Sequence, residues 1–413
     1  MNESTATESC VVVGAGPAGM MLAYLLARSG VEVTLLESHR DFNRDYRGDS
    51  LHPYTLELLD ALGLVERLLE LPHFPARLFR LHTPHGTLTT TDYGKLRTRF
   101  NYVALMPQAQ FLDFLAAEAA RLPAFTLRMG AKVNGLVQDE AGRVTGVRFR
   151  DELGEHERAS SLVVGADGRF SKVRRLAEIP AHPLGASSDL LWFRLPRQRD
   201  DPPEADVDLY FGSDHYVGLL GGPTDWQVGY ALPKGDYAAA RAAGPAPIRD
   251  FVAGHVPWLA DRVHLLRDFS QTTLLSVDIA RVDTWHRPGL LLIGDAAHVI
   301  SPVGGNGILM AVQDAVAAAN RLVPALRRGT ATTADLAAVQ ADRETAIERV
   351  QAKQVAIERQ VGRARERGRP IGPPPLLKLI TALPGVRGRN ARANAYGPNP
   401  PRLDLDLLSS SLH

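Results

Sequence analysis

The chain of 413 residues has one cysteine, Cys10. A lone thiol closes no internal disulfide and builds no thiolate metal cluster. That excludes a disulfide-stapled secreted scaffold and fits a reducing compartment. Its neighbours Val11, Val12 and Val13 make Cys10 part of a buried strand rather than a reactive thiol. No apolar run approaches the roughly 18 residues of a membrane-spanning helix. The polar segment 1–9 lacks the basic-then-apolar order of a signal peptide, so a cytoplasmic protein with no membrane span is expected. Charge of one sign is also missing. Lys plus Arg is 47 and Asp plus Glu is 46, a net +1, and nothing in that balance calls for nucleic acid. The late arginines in 363–369 and 387–392 read as solvated helix ends or loops. Internal repeats are absent as well.

What is present is ordinary globular material, 45% apolar and 23% charged, long enough for two joined domains or one large domain carrying an insertion. Residues 9–36 read as strand, glycine turn, helix and strand. Pro17 sits just inside the helix, where its missing N–H is harmless. Met20, Leu22, Leu25 and Leu26 form an apolar face, and Gly30 ends the helix. The turn is Gly14-Ala15-Gly16-Pro17-Ala18-Gly19. In such a G-x-G-x-x-G, Gly14 permits the tight turn, Gly16 lets a pyrophosphate reach the backbone, and Gly19 lets helix and strand pack closely. The helix N-terminus then faces the phosphates. The second strand ends at Glu37, at the distance where a carboxylate meets a ribose 2′-OH. Together these point to a bound dinucleotide and disfavour NADP in this pocket.

Further along, periodicity predicts a helix over 54–70, a hairpin of 78–82 with 87–91 about Pro84, His85 and Gly86, and a helix over 108–121. Strands are predicted over 125–137 and 144–150, then a brief buried strand 162–165. From about 185 to 280 short runs (190–195, 207–211, 216–220, 227–232) alternate with Gly, Pro and Asp, the texture of an antiparallel sheet, with one helix near 248–256. A buried strand resumes at 290–293, followed by a long helix over 307–326. Thr332 and Asp335 form a capping box that opens a last long helix, which the Pro- and Gly-rich stretch 369–375 breaks. The tail from about 386 has little periodicity and is expected to be partly unordered.

Two more turns carry polar groups. Gly165-Ala166-Asp167-Gly168-Arg169 follows a strand and precedes a helix, where Asp167 reads by pattern alone as an N-cap. In 289–298 a buried strand delivers Gly294-Asp295-Ala296-Ala297-His298. Then Ser301-Pro302-Val303-Gly304-Gly305-Asn306-Gly307 leads into the long helix, whose N-terminus can stabilise negative charge. Asp295 can accept from polyol hydroxyls or act as a second cap, and His298 reads as a structural loop histidine.

These three elements, in this order and spacing, resemble the FAD-dependent class A aromatic monooxygenases, which have the para-hydroxybenzoate hydroxylase fold. The match covers roughly residues 9–325. It is strengthened by Arg44-Asp45-Tyr46-Arg47-Gly48-Asp49-Ser50-Leu51-His52-Pro53 before a Leu-rich helix, by Met106-Pro107-Gln108, and by Trp285-His286-Arg287-Pro288. The adhesion tripeptide Arg47-Gly48-Asp49 carries no weight without a secretion signal. The resemblance implies an α/β fold: a Rossmann-type FAD-binding domain in three parts (1–75, 101–184, 281–328), with a hairpin (76–100) and an inserted antiparallel sheet (185–280) for substrate. C-terminal helices and a tail (329–413) follow. It implies that Gly14, Gly16, Pro17, Ala18 and Gly19 hold the FAD pyrophosphate, with Glu37 and Ser38 at the adenosine ribose. Arg47 and Gln108 would touch the cofactor from the side. Asp167 lies in a motif tied to both FAD and NAD(P)H, and Gly294 and Asp295 would hold the ribitol. Pro302, Gly305, Asn306, Gly307, Ile308 and Leu309 would lie beside the isoalloxazine ring. Three residues depart from the pattern: the family often has Arg where Gln108 stands, usually has Asn where Leu309 stands, and often has an apolar residue or Gln at Asn306.

The activity implied is hydroxylation of an aromatic, even polycyclic, substrate with NAD(P)H and O2, through a flavin C4a-hydroperoxide. The same fold leaves open Baeyer–Villiger oxygenation, a flavin reductase or dehydrogenase, and a non-catalytic FAD-binding partner. A flavin halogenase is disfavoured, because no Trp-x-Trp-x-Ile-Pro occurs: Trp226 is followed by Gln227 and Val228. Substrate would lie between the ring and the antiparallel sheet. Candidates there are Trp192, Tyr210, His215, Tyr216, Trp226, Gln227 and Tyr230, about half of which alternation turns inward. No catalytic base and no metal ligand is legible.

Overall fold

The computed structural model describes residues 10–43, 48–203, 205–302, 304–373 and 375–409. Arg47 therefore lies outside the described residues. Two sheets organise the molecule. The first has six strands in the order His286–Arg287, Leu290–Leu292, Val163–Gly165, Cys10–Val13, Val33–Leu36 and Phe125–Arg128. All its neighbours are parallel except the edge pair His286–Arg287 with Leu290–Leu292. Its central strands are buried along their whole length, which explains their unbroken Val and Leu runs. The first helix, Pro17–Arg28, and the helix Gly307–Arg327 pack against each other beside this sheet.

The second sheet has seven strands: Thr273–Ser276, Ser188–Pro196, Asp225–Pro233, Tyr216–Gly221, Val207–Phe211, Leu78–Thr83 and Gly86–Asp92. One face packs under the helix Ala246–His255, with Leu191, Phe193, Leu195, Val217, Leu219, Trp226, Val228, Tyr230 and Val252 in one apolar cluster. Period-two alternation sends the other residues of these strands to the opposite face, toward the parallel sheet.

The elements differ from the sequence reading in three places. The expected helix 54–70 is two helices, Pro53–Ala61 and Val65–Leu69, because Gly63 between them takes φ +73°. The expected strand 125–137 is likewise split. Phe125–Arg128 joins the parallel sheet, and Lys132–Gln138 starts a separate three-stranded meander with Val144–Asp151 and Gly154–Ala159. The tail is also built rather than loose. Val386–Tyr396 is helical, the Tyr54 hydroxyl donates to the Pro401 carbonyl at 2.7 Å, and Arg327 donates to that of Leu407 at 2.8 Å.

The helix Thr333–Glu366 joins the two halves. Its predicted capping box is present: Thr332 Oγ accepts from the Asp335 N–H, and the Asp335 carboxylate accepts from the Thr332 N–H. Polar side chains, partly buried at Gln340 and buried at Gln351 and Gln354, then bind backbone at successive levels. Gln340 holds Asp283 and Trp285, Gln351 holds Ala280 and Val299, and Gln354 holds both N–H and C=O of Ser301. At the far end Glu358 and Arg365 grip Ser187, beside the first residue of the seven-stranded sheet's Ser188–Pro196 strand.

Candidate functional site

A cavity of about 530 Å³ runs from the glycine turn of the parallel sheet to the inward face of the seven-stranded sheet. At its first end stand Gly14, Gly16, Pro17 and Ala18. Gly14 has φ +99°, and a side chain there would collide with the Ala166 carbonyl. At Gly16 the position of a Cβ meets nothing within 4 Å, so the bare backbone at this helix N-terminus borders open space, the requirement for an approaching phosphate. Gly19 does not line the cavity: a side chain there would overlap the Gly14 carbonyl, so its part is close packing.

Glu37 and Ser38 line the cavity, with His39 beside them. The Glu37 carboxylate accepts from Ala15 N–H at 2.9 Å and His39 N–H at 3.0 Å, tying the glycine turn to the end of the second strand. Asp167 also borders the cavity, yet its carboxylate holds the start of the helix Lys172–Leu176. It accepts from the N–H groups of Lys172 and Val173 at 2.7 and 3.0 Å and from the Ser171 hydroxyl. The N-cap residue itself is Ser171, whose hydroxyl oxygen accepts from Arg174 N–H, so Asp167 supports the helix start from outside the cap position, and burial pushes its pKa up.

Asp295, Ser301, Pro302, Gly304, Gly305, Gly307, Ile308 and Gln108 complete the cofactor-side wall. Leu309 belongs elsewhere. It is wholly buried in the main core and does not line the cavity, whereas its neighbour Ile308 does. Gly294 is also off the cavity wall, its backbone pressed against Ala18. Asn306 lies behind the wall with its amide against Gly304, and its Oδ1 is buried with no hydrogen-bond partner among the described residues. The Gly294–Asp295 turn is fixed from behind by Asp314. This fully buried carboxylate accepts from Gly294 N–H at 2.9 Å, His298 Nε2 at 2.6 Å and Arg343 Nε at 2.9 Å. His298 is thus structural.

The sequence reading assigns no individual role to several polar wall residues, among them Asp49, Ser50, His52 and Tyr93. The Gln227 amide donates to the buried carboxylate of Asp49 across the two halves of the molecule. Burial raises the pKa of Asp49, and this outweighs the opposing pull of Gln227, the Arg194 charge and the Gln108 backbone. His52 is held at about 4 by burial. A neutral His52 donates through Nε2 to the Gly305 carbonyl at 3.2 Å, and its Nδ1 is then a buried acceptor with no partner among the described residues. The available signal was a carboxylate and an imidazole three residues apart in a loop predicted to face the cofactor. Of the substrate-side candidates, Trp192, Tyr216 and Gln227 face the cavity, whereas Tyr210, Trp226 and Tyr230 belong to the apolar cluster on the other face. His215 stacks on Tyr230 at that same side.

The residues fit FAD. An open glycine-edged helix N-terminus, a carboxylate-fixed turn at the end of the second strand, and Asp295 at the start of a glycine loop line one channel. Asn306 Oδ1 and His52 Nδ1 flank that loop as acceptors with no partner among the described residues. The fold and site therefore define a flavoprotein oxidoreductase with a substrate chamber between two sheets. The chain belongs to the family described as "FAD binding domain", whose model matches residues 7–354. It is an FAD-dependent aromatic monooxygenase. It is 37% identical over 408 residues to 6-methylpretetramide 4-monooxygenase of Streptomyces rimosus, covering 97% of this chain and 95% of that one. Against rifampicin monooxygenase of Streptomyces venezuelae the identity is 31% over 318 residues, covering 74% of this chain and 62% of the relative. The fold matches p-nitrophenol 4-monooxygenase PnpA of Pseudomonas putida, with a TM-score of 0.78 at 20% identity, covering 95% and 99% of the two chains. Among the described residues no helix is long and apolar enough to cross a membrane.

Proposed function

We propose that the enzyme hydroxylates a fused polycyclic phenol, and that Asp49 takes the phenolic proton. The balanced reaction is substrate–H + NAD(P)H + H⁺ + O2 → substrate–OH + NAD(P)⁺ + H2O. Bound FAD, reduced by NAD(P)H, supplies the activated oxygen. Ionising the phenol makes its ring carbons more electron-rich. A buried carboxylate with a raised pKa is a stronger base for that step than an exposed one. The single observation that carries this reading is the Asp49–Gln227 pair. It is the buried carboxylate–amide contact on the cavity wall where the cofactor side meets the substrate sheet. Gln227 orients the carboxyl, and the rest of the substrate wall is largely apolar (Ala76, Leu78, Phe79, Leu190, Trp192, Leu209, Leu220) and excludes water.

The substrate class is supported by the near full-length likeness to a 6-methylpretetramide 4-monooxygenase. The proposed holders of FAD are Gly14, Gly16, Pro17, Ala18, Glu37, Ser38, Gln108, Asp295, Pro302, Gly305, Gly307 and Ile308. A reducing cytoplasm, where NAD(P)H is made, is the proposed compartment. The test is to incubate holoenzyme and NADPH with fused and single-ring phenols and aryl ketones under ¹⁸O2 and weigh the products. One heavy oxygen on the ring of a fused phenol supports the proposal. Label in an ester from a ketone would make the reaction Baeyer–Villiger. No labelled product under ¹⁸O2, with NADPH still consumed when oxygen is removed and another electron acceptor is present, would make the protein a reductase.

A further inference from the structure

The substrate sheet is hollow at its centre. Gly218 and Gly229 are directly paired on neighbouring strands and both line the cavity. Around them the same face carries Trp192, Leu209, Tyr216, Leu220 and Gln227. A glycine inside a strand weakens it and marks a close approach by backbone or ligand. The other strand glycines without positive φ are explained by protein atoms. A Cβ at Gly135, Gly146, Gly165, Gly221 or Gly229 would meet a neighbouring protein atom at less than 3.0 Å. At Gly218 a Cβ would meet only the Gly229 carbonyl at 3.9 Å, and its φ is not positive. Neither backbone conformation nor packing requires glycine there, and the space left open belongs to the cavity.

What lies on Gly229 explains the shape of that space. A Cβ there would stand 2.9, 3.0 and 3.1 Å from three consecutive atoms of the Trp192 six-membered ring. Nearly equal distances arise only when the ring presents its face, because an edge-on ring would leave the flanking atoms clearly farther away. The indole therefore lies flat on the glycine, and its other face is turned away from the sheet.

We propose that the bare backbone of Gly218 is the floor, and the indole of Trp192 the side, of a shelf that selects fused-ring over single-ring substrates. This rests on the polycyclic-phenol reading above. The extended π-system lies over Gly218, level with the indole and against its edge. A single ring gains one of these contacts alone and leaves the rest of the hollow unfilled.

The test uses holoenzyme of the wild type, Gly218→Ala and Gly218→Val, with matched FAD content and thermal midpoint. Dissociation constants for emodin (three fused rings) and resorcinol (one ring) are read from the ligand-induced change in flavin absorbance, and hydroxylation is followed by mass. The ratio Kd(emodin)/Kd(resorcinol) is expected to rise at least tenfold in Gly218→Val, with Gly218→Ala in between. Should the valine variant misfold, the alanine variant still has to raise the ratio, since its Cβ meets one atom at an ordinary contact distance. A ratio within twofold of wild type overturns the shelf, including when both constants rise together, as a merely structural defect would make them. Wild type that binds resorcinol but not emodin overturns the shelf and the polycyclic reading together. Emodin bound in a Gly218-dependent way but not hydroxylated supports the shelf and removes only the reaction assigned to it.

Discussion

Asp49 and His52 share a loop, are both buried on the cavity wall, and respond oppositely to acid. For Asp49 the folded pKa lies above the unfolded one. The folded state is therefore penalised as pH rises and the carboxylate charges. Asp49→Asn should raise the urea midpoint at pH 7 while lowering kcat by about 10²-fold at unchanged FAD content. The ascending limb of kcat against pH should disappear with it, and stopped-flow or steady-state turnover across pH 5–9 checks this. His52 has its folded pKa lowered from 6.5 to about 4. Its contribution is complete above 6.5 and is lost as pH falls toward 4. Between pH 7 and 5 the wild type should lose about 2 kcal/mol through this group. His52→Gln, which can still donate to Gly305, should escape that loss, so denaturation curves of both at the two pH values decide it. Neither residue was legible as functional in the sequence. The loop motif marks the region, but Gln227, the partner that holds the Asp49 carboxylate, is 178 positions away. Burial of an imidazole leaves no trace in composition.

At the scale of elements, the helix Gly307–Arg327 does two jobs: its N-terminus lines the cavity and its middle carries Asp314. Asp314→Asn weakens three contacts at once and leaves the fully buried Arg343 guanidinium without its counter-charge. Removing one partner of a buried pair costs about 3–5 kcal/mol. The variant should show that drop by urea denaturation and bind FAD more weakly, because Asp314 also holds the Gly294–Asp295 turn. A hint was available: Asp314 is an acid within an Ala- and Val-rich helix, followed by the apolar run Ala315, Val316, Ala317, Ala318 and Ala319. Elements governed by local rules were read well from sequence. The glycine turn and its helix, the hairpin at His85-Gly86, and the Thr332–Asp335 cap all depend on neighbours within a few residues. Failures came where a glycine interrupted a continuing apolar pattern. Gly63 and Gly130 both take positive φ inside stretches whose periodicity runs through them. Leu309 failed for another reason: family position predicts contact, whereas helical phase turns this residue toward the core.

The whole molecule is closed by segments that have little pattern of their own. Asn390 donates to the Thr90 carbonyl at 2.9 Å, Gln313 to that of Tyr396 at 2.7 Å, and Asn394 sits against the cavity-lining Tyr93. Tail order therefore comes from long-range docking that periodicity does not encode. A chain ending at Ala382 should melt more than about 5 °C lower and respond to phenols with a weaker flavin spectral change, both measurable on purified holoenzyme. The helix Thr333–Glu366 has a related consequence. Its 34 residues span about 50 Å and fasten to the parallel-sheet side near one end and to the substrate sheet at the other. Distance and angular phase are thus fixed together. One residue inserted between Gln340 and Glu358 would turn every later anchor by about 100°, swinging Glu358 away from Ser187. Surface loops of this protein can change length freely, whereas this helix can neither lengthen nor shorten by a residue without putting the two sheets out of step.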